Sequence, residues 1–277
     1  MNNIILIDTS YTSFYRFFAT LKWMASAHHD IYTMYKNDTT YDWMENKIFI
    51  DMYEKMYLMA ITKLLKKKIM QNSIIVFCMD APRESLWRMQ IDSNYKATRI
   101  DMNLKYNIKP IFKHTYKTII PNIIKENKNM FSILIPNCEA DDIIACITLS
   151  LKNKPNQNII IVSGDNDFLQ LGRVNVKFVN YRQKTLFEID EIKAVLYLHE
   201  KILLGDKSDN INGILTKKNI NKKELIENIP KFFEYIKNNT TVKTAYEHNK
   251  LLIDFTCIPQ KYYDNIVNYF SDKIKNL

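Results

Sequence analysis

Three strand-forming runs in this sequence each lead to an aspartate. The runs NIILI, SIIVFCM and NIIIV precede Asp8, Asp80 and Asp165, and Asp167 follows two positions after the last of these. Uninterrupted apolar runs of this kind predict strands that are buried on both faces of a parallel sheet. Open α/β sheets hold their active sites outside the carboxyl ends of such strands, so these acids are candidates for one shared site.

A fourth acidic cluster, Glu139-Ala140-Asp141-Asp142, opens an apolar helical pattern. If the helix begins at Ala140, Glu139 and Asp142 share one face while Asp141 points aside. Like charges this close repel one another unless a cation neutralises them. The four clusters together therefore predict a metal site built from carboxylate oxygens.

The composition indicates a polyanionic partner. The chain has 277 residues, enough for one large or two modest domains, with a net charge of +9 and a pI near 9.1. Part of this basic bias follows a general richness in Lys, Asn and Ile, which nucleotide composition alone can produce. A basic protein that gathers acids at strand ends suits a phosphodiester substrate, because lysines hold the backbone and carboxylates hold metal ions.

Several other classes are disfavoured. The four cysteines have no CxxC spacing, so neither a zinc site nor a disulfide framework is predicted, and buried thiols in a reducing, intracellular setting are expected. No apolar run approaches the roughly 20 residues of a membrane span, and Asp8 comes too early for a signal peptide. The run His28-His29-Asp30 is interpreted as a solvated loop rather than a metal site.

The remaining pattern predicts alternating strands and helices. Residues 9–20 predict a short aromatic-rich helix that carries Arg16, residues 21–46 are irregular, and residues 47–69 have a helical period. Short strands are expected at Ser132–Ile135 and Val174–Val179. Beyond Thr185 the pattern changes to helices and polar links, which predicts domains at 1–185 and 186–277 packed on each other.

A series of lysines occurs at intervals of four, interleaved with aromatic residues, after a basic stretch that includes Lys96 and Arg99. The spacing predicts one face of a helix, which Pro110 must begin or break. Either a solvated helix face or a single-stranded nucleic acid track fits this pattern. The series consists of Lys105, Lys109, Lys113 and Lys117.

Four motifs in order resemble the signatures of the flap endonuclease and 5′-nuclease family. The first extends from FCMDAPRESLWR to NYKATR, and the others are NCEADDIIACI, SGDNDFLQL and LLGDKSDNINGI. LLIDFTCIP near the C-terminus is similar to the phage RNase H branch. The resemblance implies a PIN-like three-layer α/β fold with a mostly parallel central sheet. It also implies a helical arch at about 96–120 and a C-terminal DNA-binding part that is like a helix-hairpin-helix.

The resemblance implies two Mg²⁺ or Mn²⁺ ions held by oxygen ligands. Two such ions about 3.5–4 Å apart clamp the attacking and leaving oxygens of an in-line displacement. The first would be held by Asp8, Asp80, Glu139 and Asp141. The second would be held by Asp142, Asp165, Asp167, Asp206 and Asp209.

The resemblance also assigns basic residues to the substrate. Lys96 and Arg99 would bind the scissile phosphate, Arg88 would contact a nearby phosphate, and Gly164 would permit the tight turn before Asp165. Nucleic acid contacts are expected from Arg16, Lys105, Lys109, Lys113, Lys117, Lys217 and Lys218.

The C-terminal part departs from the family pattern. Asn212 stands where the family has proline, and no glycine follows Gly213. A hairpin that binds duplex phosphates through backbone N–H groups relies on glycines for close approach. Duplex binding by the charges of Lys217 and Lys218 is therefore expected, with a monovalent cation site in doubt, and a weakened module is the alternative.

The leading hypothesis is a metal-dependent, structure-specific 5′ nuclease acting on 5′ ends, flaps or RNA primers in replication or repair. Its partner would be a DNA or RNA–DNA duplex, with replication proteins in addition, and the chain is expected to act as a monomer away from membranes. A haloacid-dehalogenase-type phosphatase is rejected because Thr9-Ser10 follows Asp8 where a DxD is needed. A small PIN-type ribonuclease would not need Asp206 and Asp209. A non-catalytic nucleic-acid-binding descendant is the remaining alternative.

Overall fold

The structure, a computed structural model of the chain, describes residues 3–97, 106–154, 156–215 and 222–277. Within them, five parallel strands form one sheet in the order β3-β2-β1-β4-β5. This arrangement confirms the α/β fold with a parallel central sheet. The strands are β1 (Asn3–Asp8), β2 (Ser73–Met79), β3 (Met130–Leu134), β4 (Asn158–Val162) and β5 (Val176–Val179).

The first strand lies at the centre of the sheet, and its position determines where the acids meet. Asp8 pairs in register with Cys78, two residues before Asp80, and Ile7 pairs with Val162, three residues before Asp165. Because all the strands are parallel, their carboxyl ends lie at one edge. The three acids that follow them are therefore neighbours at that edge.

Helices cover both faces of the sheet. One face packs against α8 and α13, and the other against α1, α3 and the segment that runs from 106 to 126. The helices are α1 (Thr9–Ala27), α2 (His29–Tyr35), α3 (Lys47–Leu65), α4 (Lys67–Gln71), α5 (Arg88–Ile91), α6 (Lys109–His114), α7 (Ile120–Glu126), α8 (Ala140–Ser150), α9 (Glu191–Leu204), α10 (Lys222–Glu227), α11 (Ile229–Lys237), α12 (Thr240–Ile253) and α13 (Gln260–Lys275).

The prediction of an irregular segment at 21–46 is wrong for residues 21–35, which are almost entirely helical. α1 continues to Ala27 because Phe17, Leu21 and Met24 are buried along one helical face. α2 follows at once, so His29 and Asp30 begin a helix instead of lying in a loop, and both are exposed.

The helix predicted at 47–69 ends earlier, at Leu65. Lys66 adopts a positive φ of 64° and separates α3 from the short α4. A helix cannot continue through a residue in that conformation, and a lysine gives no sequence signal for it.

The predicted arch lies partly outside the described residues, which omit 98–105. Its remainder forms α6, a π-helical turn at Thr115–Ile119, and α7. Pro110 lies in the first turn of α6, as its lack of an N–H group favours. Ile111 and Ile119 are buried against the sheet side, which leaves the lysines of this segment on the outer face.

The C-terminal helices form a smaller core of their own and also join the main one. Ile202 on α9 and Leu252 on α12 pack with Tyr95, whereas Phe270 on α13 belongs to the main core under the sheet. An antiparallel bridge between Phe178 and Phe187 crosses the expected boundary at 185. The division at 185 stays a prediction. None of the helices within the described ranges combines the length and the apolar character that a membrane span requires.

Candidate active site

Most of the predicted acids line one cavity of about 940 Å³ at the carboxyl edge of the sheet. Lys96 and Lys201 lie in the same wall. The strand order brings these side chains together from distant parts of the sequence. The acids that line the cavity are Asp8, Asp80, Glu139, Asp141, Asp165, Asp167 and Asp206.

Asp8 ends β1 and caps α1. One carboxylate oxygen accepts from the backbone N–H of Tyr11 at 2.9 Å, and the other accepts from the Ser163 hydroxyl at 2.8 Å. Burial, with a further contribution from the charge of Asp80, raises the pKa of Asp8 to about 7. Asp8 therefore ionises fully at neutral pH only when positive charge is placed beside it.

Asp80 is held by three groups that the sequence did not reveal as functional. Its Oδ1 accepts from the backbone N–H of Ala140 at 2.7 Å, and its Oδ2 accepts from the Ser10 hydroxyl. The Tyr116 hydroxyl lies 2.7 Å from Ser10 Oγ and accepts from the backbone N–H of Asp80 at 3.2 Å. Tyr116 lies in the π-helical turn, and such turns occur often at functional sites.

Glu139 is surrounded by cations and donors. Lys96 Nζ donates to Oε1, while Arg88 Nη1 and the Tyr95 hydroxyl each lie 3.0 Å from Oε2. Burial by itself would raise the pKa of Glu139, but Lys96 and Arg88 outweigh it and lower the pKa to about 2. Glu139 is therefore a carboxylate at any physiological pH.

Asp141 and Asp142 are adjacent in sequence, but the Asp141 side chain lines the cavity and the Asp142 side chain lies in the protein interior. Asp141 faces the cavity, where burial raises its pKa and the charges of Asp165 and Asp8 add to the effect. Asp142 is fully buried, and its oxygens accept from the Trp87 indole N–H at 2.9 Å and from Arg88 at 2.8 Å. The prediction of Asp142 as a metal ligand does not fit this position, because its carboxylate is engaged away from the cavity.

The prediction of Arg88 as a phosphate contact does not fit its position either. Its side chain is 2% exposed, and its guanidinium bridges Glu139 and Asp142 while Nε donates to the carbonyl of Leu252 at 2.9 Å. Burial opposes the charge, but Asp142 and the neighbouring Tyr95 and Glu139 raise the pKa of Arg88. Arg88 thus stays charged and serves as an internal anchor.

A second group of three acids lies partly in the cavity wall, to which Asp167 and Asp206 contribute. Asp167, Asp206 and Asp209 each offer one carboxylate oxygen within 4.8 Å of the others. Lys201 lies beside this group, with Nζ 2.8 Å from Asp206 Oδ2 and in contact with Asp167. Burial would raise the pKa of Asp206, but bonds from Lys201 and Ser208 lower it to about 2.

The turn before these acids depends on glycine for a reason other than the predicted one. Gly164 has no positive φ, but a Cβ at this position would lie 2.2 Å from the Tyr11 hydroxyl. A side chain between β4 and Asp165 would therefore require the Tyr11 ring to move. Asp165 then caps the following 3₁₀ helix by accepting from the N–H of Asp167 at 2.9 Å.

Lys96, which is predicted to bind the scissile phosphate, is 6% exposed and its ammonium pairs with Glu139 and Asp209, so this role stays a prediction. Lys96 lines the cavity, its backbone has a positive φ of 56°, and its N–H donates to the carbonyl of Asp209 at 2.9 Å. Lys109, Lys113 and Lys117 are exposed. Four other residues predicted to contact substrate lie outside the described residues, namely Arg99, Lys105, Lys217 and Lys218.

The prediction of Arg16 as a nucleic acid contact does not fit its burial. Its side chain is 7% exposed, on the face of α1 that also buries Thr12 and Thr20. Burial lowers the pKa of Arg16, partly offset by Tyr15 and Tyr181. The sequence predicts a helix here, but its pattern does not indicate which face of that helix is buried.

The donor set suits a hard divalent cation. Magnesium and manganese prefer carboxylate oxygens, and the cavity wall supplies these without histidine or thiolate. The raised pKa values of Asp8, Asp80 and Asp141 point in the same direction, because a nearby cation would restore their ionisation. The residues present therefore fit bound metal.

Sequence comparison identifies relatives of this chain. Residues 3–197 match the family described as 5′-3′ exonuclease, N-terminal resolvase-like domain. The chain is 28% identical over 245 residues to Ribonuclease H of Enterobacteria phage T4, covering 82% of this chain and 79% of that protein. It is 30% identical over 192 residues to a 5′-3′ exonuclease of Buchnera aphidicola, covering 63% of this chain and 62% of the relative.

Structure comparison finds the same fold in a phage protein. A bacteriophage T5 protein co-crystallised with metal ions aligns with a TM-score of 0.65 at 15% identity, covering 98% of this chain and 99% of the other. The T5 flap endonuclease in a pseudo-enzyme–product complex with DNA and metal ions aligns with a TM-score of 0.64 at 16% identity, over 99% of each chain. The family match spans most of the residues that build the cavity, and this chain therefore belongs to the 5′-3′ exonuclease family.

Proposed function

We propose that this chain is a metal-dependent 5′ nuclease that hydrolyses phosphodiester bonds at 5′ ends, flaps or RNA primers of duplex nucleic acid during replication or repair. The observation that carries the proposal is the convergence of acids from three strand ends and one helix start on a single cavity that also contains lysines. Family membership and the relatives named as exonuclease and Ribonuclease H support it.

The first proposed ligand set consists of Asp8, Asp80, Glu139 and Asp141. Ser163 and Ser10 orient Asp8 and Asp80 by donating to one oxygen of each, and the lone pairs that are not used in hydrogen bonds are proposed to bind a cation. The second proposed set consists of Asp165, Asp167, Asp206 and Asp209. Asp142 is left out because its side chain is fully buried outside the cavity wall, where its oxygens accept from Trp87 and Arg88.

Two magnesium or manganese ions bound by these sets would supply a nucleophilic water and neutralise charge at the scissile phosphate. The chain's own part is to position the phosphate. Lys96, which lines the cavity next to Glu139, is proposed to reach a non-bridging phosphate oxygen. Because Lys96 acts on charge that develops during the reaction, its loss should slow cleavage more than it weakens binding.

One part of the cavity wall is apolar or aromatic and suits an unpaired nucleotide. It consists of Tyr11, Phe14, Ile108 and Phe112. Aromatic faces accept bases of any sequence, whereas the acids of the cavity would accept only the metal-bridged backbone. The exposed lysines of α6 and the π-helical turn are proposed to hold the strand that leads to this wall.

The proposal is tested with 5′-labelled substrates that share one sequence. A 5′ flap, a nicked duplex and an RNA–DNA hybrid are incubated with protein and magnesium, and in parallel with chelator. We expect short 5′ products that need the divalent ion, and the preferred substrate separates flap removal from primer removal. Binding to all three without cleavage would contradict the proposal and favour the non-catalytic descendant.

A further inference from the structure

Lys201 lies where the second proposed ligand set needs a cation. Its Nζ contacts Asp167 and lies 2.8 Å from Asp206. These two acids belong to the group whose oxygens lie within 4.8 Å of one another. A single ammonium thus contacts two of the three carboxylates that are closest together in this part of the site.

The backbone fixes this contact. Lys201 is in the last turn of α9, and its carbonyl accepts from the N–H of Gly205 at 2.9 Å. Gly205 has a φ of 72°, and a Cβ there would lie 2.4 Å from the carbonyl oxygen of Ile211. Only glycine permits this reversal, which returns Asp206 to the side of Lys201.

The contact is also shielded from water. The Lys201 side chain is 13% exposed, and those of Asp167 and Asp206 are 16% exposed. Charges at this depth are screened much less than surface charges. An ammonium here therefore offsets a large part of the repulsion between the carboxylates.

We infer that Lys201 is an internal counter-ion that competes with a divalent ion for Asp167 and Asp206. The inference rests on the proposed function, because it assigns these acids to a metal site. It follows that the second ion binds more weakly than its acidic ligands alone would allow, and that the ammonium must move away when the ion binds.

Competition predicts that loss of the Lys201 charge strengthens Mn²⁺ binding, whereas loss of a purely structural lysine would not strengthen it. Removing the charge while keeping the stem should tighten ion binding, because nothing has to be displaced and the carboxylates keep their full negative charge. For Lys201→Met we expect the dissociation constant of the weaker Mn²⁺ site to fall at least about tenfold. Lys201→Arg keeps the charge and should stay within about threefold of the unaltered chain.

The measurement is a calorimetric titration of Mn²⁺ into the full chain without nucleic acid. Lys193→Met is the matched control, because Lys193 lies on the same helix, is 73% exposed and pairs with Asp190 at the surface. It removes the same charge from the protein and should leave Mn²⁺ binding within about twofold. Adding Asp206→Asn to Lys201→Met should abolish the increase in Mn²⁺ affinity. This result would show that the increase arises at the site formed by Asp206.

The outcomes separate the inference from the proposed function. Unchanged or weaker Mn²⁺ binding by a folded Lys201→Met variant would overturn the competition, even if the unaltered chain binds Mn²⁺ and cleaves nucleic acid. A gain of similar size in Lys193→Met would also overturn it, because the effect would then be one of net charge. Failure of both the unaltered chain and Lys201→Met to bind Mn²⁺ would overturn the inference and the proposed function together.

Discussion

Arg88 and Asp142 form an ion pair of 2.8 Å in which the two side chains are 2% and 0% exposed. The same guanidinium holds Glu139 at 3.0 Å, so one buried cation fixes the start of α8. Since Asp141 lies between these two acids in sequence, the pair sets the direction in which Asp141 faces the cavity. The stability of the helix start and the geometry of the proposed metal site are therefore linked.

This link predicts opposite effects for two adjacent substitutions. Asp142→Asn breaks a buried charge pair and should lower the free energy of unfolding by about 3 kcal/mol. Asp141→Asn should raise that free energy in the presence of chelator at pH values above the usual aspartate pKa of 3.8, because burial raises the folded-state pKa of Asp141 and its charge disfavours the folded state. Urea unfolding of both variants checks this, and equal destabilisation would contradict the assignment of their roles.

A second prediction concerns Arg88 and nucleic acid. Arg88→Met leaves two buried carboxylates without their cation and the Leu252 carbonyl without its donor, so a destabilisation of about 3 kcal/mol is expected. The salt dependence of DNA binding should be unchanged, because each lost phosphate contact would reduce the slope by about 0.9. Lys113→Met, at an exposed lysine, should leave the stability unchanged and reduce the salt dependence of DNA binding. A reduced slope for a folded Arg88→Met would contradict the internal role of Arg88 and support the phosphate contact predicted from the sequence.

A third prediction concerns Tyr116, which lies in the π-helical turn and helps to hold Asp80 in place. Tyr116→Phe removes the hydroxyl that joins Ser10 to the backbone of Asp80. Partners of metal ligands typically contribute 10–100-fold to affinity, so the magnesium concentration for half-maximal cleavage should rise about tenfold while DNA binding in calcium stays the same. Tyr269→Phe, at the surface of α13, is the control. An unaltered magnesium requirement would remove Tyr116 from the site.

The pKa of Asp8 predicts a pH dependence of stability. In the unfolded chain Asp8 ionises near its usual value of 3.8, whereas in the folded chain burial and Asp80 raise the pKa to about 7. The folded state therefore holds the proton between these values, so this contribution to stability falls as the pH rises from about 4 to about 7. Divalent ions should reverse the loss. The increase in Tm caused by magnesium should be larger at about pH 8 than at about pH 5, and an equal increase would contradict the account.

Much of the architecture could be predicted from local patterns. The strand runs before Asp8, Asp80 and Asp165 are continuous and apolar, and parallel pairing then requires their acids to meet. The roles of single side chains were harder to predict, because they depend on partners that are distant in sequence. Arg88 precedes its partner Leu252 by 164 positions, and no pattern near Arg88 indicates that the carbonyl is there.

The position of Lys201 beside the acids has a signal in the sequence. Lys201 precedes Gly205-Asp206 in a helical pattern, and a lysine in the last turn before a glycine is close to whatever the chain brings back after the turn. Tyr116 had no comparable signal, because a π-helical turn cannot be read from composition or periodicity. The geometry of the site depends strongly on such irregular positions, whereas the overall fold depends on them less.

The most direct test of the central claim is a single-turnover cleavage of a 5′-labelled flap in magnesium by the unaltered chain and by Asp165→Asn. Asp264→Asn, at an exposed acid on α13, is the matched control. The account predicts that Asp165→Asn loses at least about three orders of magnitude in rate, roughly 4 kcal/mol of transition-state stabilisation, while its DNA binding and the activity of the control persist. Cleavage by Asp165→Asn at the unaltered rate would contradict the metal-dependent nuclease site.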